Sequence, residues 1–285
     1  MRVLSTLGVC LLCTQPVRAL DLQSLWSFRD PALSEQRFRA ALASATTDEA
    51  LILQTQIARS HGLRKDFEQA RAVLMPLKPQ LATASAEART RWALEWGRSF
   101  ASATHSQPST DDKSQARAAY LDALASARAG GLDGLAIDAI HMLAFVDTAP
   151  ADQLKWGREA LAVVDASTQA EAKRWEGSIR HNIGFALHQL GRYDDALTEF
   201  QNALAVREKA GNAGSTRVAH WMIAWTLRAL KRGDEALAIQ LRLERENAAA
   251  GTSDIYVFEE LELLYRGQGD SAKAEHYAAL RKAMK

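Results

Sequence analysis

The sequence predicts an all-α chain assembled from repeated pairs of helices, and three observations lead there. Apolar residues recur at three- and four-residue spacing, the period of one helix face, as at Ile179, Ile183, Leu187 and Leu190. Ala and Leu are abundant, proline occurs only 6 times in 285 residues, and no run of alternating β-branched residues stands out; that balance suits helices rather than sheets. A small alanine returns at the same place in successive segments, at Ala70, Ala116, Ala160, Ala196, Ala236 and Ala274, with gaps of 46, 44, 36, 40 and 38 residues. A small residue at near-constant spacing is what repeated close crossings of two helices need.

The N-terminal elements come first. Met1–Ala19 has the make-up of a secretory leader: Arg2, then an apolar stretch over Val3–Cys13, then Val17 and Ala19 at the two positions a signal peptidase reads. That stretch is too short to span a bilayer. A buried N-terminal helix is the competing reading. A lipoprotein anchor on Cys10 or Cys13 is disfavoured by the bulk of Val9 and Leu12. Both cysteines lie in this leader, so a chain cleaved after Ala19 has no disulfide, thiolate nucleophile or cysteine metal site. Residues 20–47 read as a lead-in and capping helix: Leu22, Leu25, Trp26 and Phe28 are able to pack on the next helices, and Pro31 suits a first helical turn.

Residues 48–285 read as six helix pairs. In the first, Ile57-Ala58 precede Ala70, and Pro76 and Pro79 should bend or end the second helix. In the second, Trp92, Trp96 and Phe100 share one face, Ala103–Lys113 reads as a surface loop, and Gly130-Gly131 breaks the chain. The third runs from Leu132 to about Asp165, with Pro150, Leu154, Ala160 and Leu161 on its second helix. The fourth spans Trp175–Arg207, the fifth runs from about Ser215 to Ala249, and the sixth from Asp254 onward, where Lys273, Lys282 and Lys285 give the last helix a polar outer side.

The fourth pair carries a recognisable pattern. Ile183-Gly184, then Ala196 twelve residues on, then Phe200 four later, resembles the tetratricopeptide repeat, with Arg180 and Leu187 standing where that family prefers Trp and Tyr. The resemblance covers about 48–285, strongest in the fourth pair and weakest in the second and third. It implies a right-handed helical-hairpin solenoid of about six repeats, in which the first helix of each pair faces the concave side.

On that reading the groove residues are Asp138, His141 and Phe145 in the third pair; Ser178, His181, Phe185 and His188 in the fourth; Val218, Trp221, Trp225 and Arg228 in the fifth; and Tyr256, Glu259, Leu263 and Arg266 in the sixth. Thr55, Arg59, Leu94 and Arg98 extend it through the first two pairs. Rings flanked by His, Arg and Asp suit a binding face, because they bury much area and still carry a directed polar group. The same rings also suit repeat packing: Trp92, Trp96 and Trp175 are assigned to the core, and Phe145, Phe185, Trp221 and Trp225 to the groove. The ligand-binding set is then His141, Phe145, His181, Asn182, Phe185, His188, Trp221, Trp225, Arg228 and Tyr256. The carboxylate clamp of some family members wants Lys where His181 and Trp221 stand and Asn where Phe185 stands, leaving only Asn182 in its favour.

Charge and motifs narrow the function. With 35 basic and 34 acidic side chains interspersed, the chain lacks the basic stripe of a nucleic-acid binder. No cofactor motif or integral membrane span is present in the sequence. His181 and His188 are two helical turns apart, about 10 Å by helix rise, too far for one metal shell. The expectation is a non-catalytic, exported scaffold, periplasmic or secreted, that binds a protein or peptide segment. The alternatives are a His-lined metal-dependent or hydrolytic enzyme and a peptide-sensing regulator.

Overall fold

The computed structural model describes residues 20–284, and among them there are helices and no strands. The leader Met1–Ala19 lies outside the described residues. A short helix α1 (Leu22–Leu25) and α2 (Pro31–Ala41) precede the pairs. The first pair is α3 (Thr47–Leu63) with α4 (Phe67–Leu74), the second α5 (Ala86–Arg98) with α6 (Thr110–Ala129), and the third α7 (Asp133–Val146) with α8 (Pro150–Ala166). A single helical turn, α9 (Ala170–Lys173), which the periodicity does not foretell, leads into α10 (Glu176–Gln189) and α11 (Tyr193–Lys209). The last pairs are α12 (Ala213–Ala229) with α13 (Gly233–Ala249), and α14 (Ile255–Gly267) with α15 (Ser271–Ala283).

Local chemistry sets the ends. Asp30 accepts from the Leu33 amide while Pro31 occupies the first turn of α2. Thr46 and Glu49 close a capping box on α3. Ser109 and Asp112 close another, so α6 begins at Thr110, and the loop expected over Ala103–Lys113 ends sooner than its polar composition suggests. The two prolines act as expected: α4 stops at Leu74 and Met75–Ala82 winds as 3-10 turns. Four of the hairpin turns use one residue in the left-handed region: Gly191 and Gly269, but also Lys65 and Lys231. In each, the following amide reaches back to a carbonyl five residues earlier, as in Arg192 to Leu187 and Arg232 to Leu227, both 2.9 Å.

Packing is between neighbours in sequence, helix on helix from α2 to α15, and first helices also touch one another, as α3 does α5 and α12 does α14. The result is the right-handed helical-hairpin solenoid that the repeats imply. All six anchor alanines are buried, none more than 3% exposed. Beside them, rings sit where a side chain is missing. A Cβ on Gly184 would fall 2.8 Å from Phe200, and one on Gly97 would fall 2.5 Å from Tyr120, both rings being fully buried. The lead-in packs too: Leu20, Leu22, Leu25 and Trp26 lie against Phe38, Leu53 and Ile57.

Because neither ring has space to retreat, Gly97→Ala and Gly184→Ala should each destabilise the chain by about 1–3 kcal/mol, the usual range for overpacking a full core. Urea unfolding followed by circular dichroism measures this, and an unchanged midpoint for both would show that the crossings are looser than the geometry states.

Candidate functional site

Three pockets follow one another along the face formed by the first helices, and their chemistry changes from end to end. The first, about 710 Å³, lies between the lead-in and α3, α5 and α7. Trp26 and Phe28 stand on one wall, stacked at 4.7 Å, with the Trp26 indole donating to Gln56 at 3.1 Å and the Arg59 guanidinium 5.9 Å from its ring. The chain's own N-terminal segment therefore flanks this end.

Along one wall of that pocket runs a largely buried ionic row, Arg59 and Asp138 lining the pocket themselves. Arg59 donates to Glu95 at 3.1 Å, Arg98 donates to the same Glu95 oxygen at 2.6 Å, and Arg98 also reaches Asp138 at 2.5 Å. Glu95 is 4% exposed and Asp138 9%. Burial works against the Asp138 charge, but the Arg98 and Arg59 guanidiniums hold its carboxyl below the usual range. Every charge in the row is answered by another, so it braces α3, α5 and α7 against each other. Taking one partner from such a group typically costs about 3–5 kcal/mol.

The second pocket, about 130 Å³, is enclosed by α7, α8 and α10, and His141, Phe145, Trp156, Asn182 and Phe185 line it. His141 meets the Asn182 amide at 3.3 Å and packs edge-on to Phe145. Burial pushes the His141 pKa down, against the pull of Asp138.

The third, about 700 Å³, is formed by α10, α12, α13 and α14, with His181, Phe185, Trp221 and Tyr256 among its lining. Phe185 is thus shared by two pockets. The rings form a connected row: His188 stacks on Trp225 at 3.3 Å, Phe185 lies 6.0 Å and Trp221 5.9 Å from Trp225, and Tyr256 meets Trp221 edge-on at 6.2 Å. Burial and the Arg207 charge push His181 down to about 4; burial and Arg228 do the same to His188.

The sequence-derived set is therefore brought together in part. His141, Phe145, Asn182 and Phe185 share the second pocket; His181, Phe185, Trp221 and Tyr256 share the third. His188, Trp225 and Arg228 line neither. The first two form the stack behind Phe185, and Arg228 is held by Glu260 through two 2.7 Å hydrogen bonds. Leu94 and Thr55, expected on the groove face, are each 1% exposed and belong to the interior, while Leu190, which spacing puts on one face with the buried Ile183 and Leu187, is 41% exposed because α10 is already ending there. Trp92 is part of the packing, its indole donating to the Leu74 carbonyl at 2.9 Å. Sequence reasoning missed Glu95, which sits at the centre of the ionic row; its place three residues before Arg98 on one helix face was the available signal. Among the described residues no three His, Asp or Glu side chains are grouped to hold a metal ion.

With this geometry in place, the comparisons with known proteins are informative. Residues 175–245 match the tetratricopeptide repeat family model. They are tetratricopeptide repeats. Outside them the likeness is one of fold. The apo form of RapI superposes with a TM-score of 0.71 at 12% identity, covering 90% of this chain and 73% of that one. A signal-transduction ATPase with a tetratricopeptide repeat sensor, from Pyrococcus horikoshii, superposes at 0.69 and 12% identity over 89% of this chain, which spans only 39% of that protein. A Rap protein complexed with competence and sporulation factor superposes at 0.58 and 13% identity, over 90% of this chain and 72% of that one. No curated protein matches the sequence.

The histidines of the tetratricopeptide face give a testable pH response. Their folded pKa values lie below 6.5, His181 and His188 near 4, so between about pH 6.5 and 4 the unfolded chain binds more protons. Stability should fall on acidification through that window. Urea midpoints from about pH 7 to pH 4 should drop for the native sequence and drop less for His181→Phe; parallel curves would remove His181 from the response.

Proposed function

We propose that the protein is a non-catalytic scaffold, exported to the periplasm or secreted, which holds a protein or peptide segment in the groove along its first helices. The observation that carries this is the third pocket. Its wall keeps large apolar side chains in water, with Phe185 39%, Val218 49% and Tyr256 61% exposed. A cluster of exposed large apolar side chains on a folded surface marks a place where another molecule packs. The N-terminal end is different, since its ionic row is satisfied internally and its wall is partly built by residues 20–28.

A peptide-sensing regulator is the second reading. It is supported by the fold likeness to a Rap protein solved with a bound factor. The leader-like Met1–Ala19 favours the exported scaffold over it.

Capture from envelope extract tests the scaffold. A chain beginning at Leu20 should retain a partner that the Trp221→Ala, Trp225→Ala variant loses, with a drop of at least about thirtyfold if the Trp221 ring is an anchor worth about 2 kcal/mol and Trp225 supports it from behind. Equal capture by both would place the partner elsewhere. A reporter joined after Ala19 separates the two readings by compartment.

A further inference from the structure

We propose that the second pocket seats one tyrosine side chain of the bound segment, its ring among Phe145, Trp156 and Phe185 and its hydroxyl answered by His141 and Asn182. This rests on the scaffold reading above and names the residue that anchors the segment.

Size and wall select a ring. The cavity between α7, α8 and α10 holds about 130 Å³, and the buried Ile140, Ala160 and Ile179 line it together with the three aromatic rings. The Trp156 N–H is already engaged by Asp147 at 3.0 Å, so that ring adds carbon alone. An apolar cavity of about 150 Å³ takes benzene, whereas drug-sized ligands need roughly 300 Å³ or more. The pocket therefore has room for a single six-membered ring. A free molecule that small makes few contacts, while a side chain brings the rest of its segment with it. Phe145 and Phe185 are 41% and 39% exposed, and Phe185 also lines the third pocket, so a segment anchored here has that apolar wall beside it.

The polar pair selects the hydroxyl. His141 and Asn182 are half-buried, and the 3.3 Å contact between them is the one side-chain hydrogen bond that either makes among the described residues. The other imidazole nitrogen and the other amide atom keep accessible surface, unlike the sealed nitrogens of His181, His188 and Trp221. Burial keeps His141 neutral, so its imidazole carries one N–H and one lone pair. If Asn182 donates to Nδ1, the Nε2 N–H and the amide oxygen are left over. With the amide turned, the Nε2 lone pair and the amide N–H are left over. Either way a ligand meets both a donor and an acceptor. A hydroxyl is both, so it fits either arrangement. A carboxylate answers only the donor, an ammonium only the acceptor, and a phenylalanine or leucine side chain neither. Serine and threonine carry the hydroxyl but leave the ring-sized space empty.

The test pans the chain from Leu20 onward against a library of N-acetylated, C-amidated hexapeptides and titrates the enriched sequences by calorimetry. Tyrosine should be enriched at one position. Replacing that tyrosine by phenylalanine should weaken binding about tenfold, the loss expected when a polar pair is left unanswered. Asn182→Leu should weaken the tyrosine peptide about tenfold and leave the phenylalanine peptide within about twofold, so the second peptide reports that the variant is folded. Enriched peptides without tyrosine, or tyrosine and phenylalanine peptides bound equally by the native chain, would overturn this assignment and leave the scaffold reading standing. A library yielding no peptide above background would overturn both. In that case binding of p-cresol, the tyrosine side chain by itself, would give the pocket to a free phenol instead.

Discussion

Ring against missing side chain is the contact on which the rest of this molecule depends. Tyr120 over Gly97 and Phe200 over Gly184 let two helices of a pair approach as closely as their backbones allow, and the buried anchor alanines keep the crossing tight. Because helices touch chiefly their neighbours in sequence, the geometry of one crossing sets where the next pair starts. A binding face that no single pair could form then appears as a sum of small, equal placements.

That face is uniform in backbone and divided in chemistry. Toward the N-terminus, charge is paired with charge and the lead-in supplies Trp26 and Phe28 to one wall of the pocket. Toward the C-terminus the His188, Trp225 and Trp221 rings stack face to face, and His181 and His188 are kept neutral chiefly by burial. A fold of this kind lets one scaffold separate bracing from recognition by position along its length. Phe185 stands at the junction, with one pocket on either side of its ring.

Much of the architecture was legible because its signals are local. Ala196 and Phe200 announce a crossing by spacing alone, and Pro76 stops a helix wherever it falls. The second pair was the hardest to read, since Gly97 lies 19 residues before Ala116 where Gly184 lies 12 before Ala196. An inserted loop hid the same ring-and-glycine contact that made the fourth pair plain. The site was legible only as a face. Helical spacing placed Phe145, Phe185 and Tyr256 on the open side. It did not reveal that Arg228 is bound to Glu260, because that partner lies 32 residues away. Nor did it reveal that Leu94 turns inward, because Trp96, Leu94 and Arg98 share one short helix and only the neighbouring pairs decide which of them is covered.

The hairpin turns have a consequence for how such chains diverge. Lys65 and Lys231 adopt the left-handed backbone that Gly191 and Gly269 adopt, and all four turns close through a hydrogen bond of the same span. A side chain in that region costs about 1 kcal/mol, yet the two lysine turns have the same form. The bend is thus enforced by the helices on either side of it, and the residue at its apex is a passenger. Glycine at the turn is therefore a poor landmark for counting repeats in a chain of this kind. The buried alanine on the second helix, which has no such freedom, is the feature by which distant copies remain recognisable.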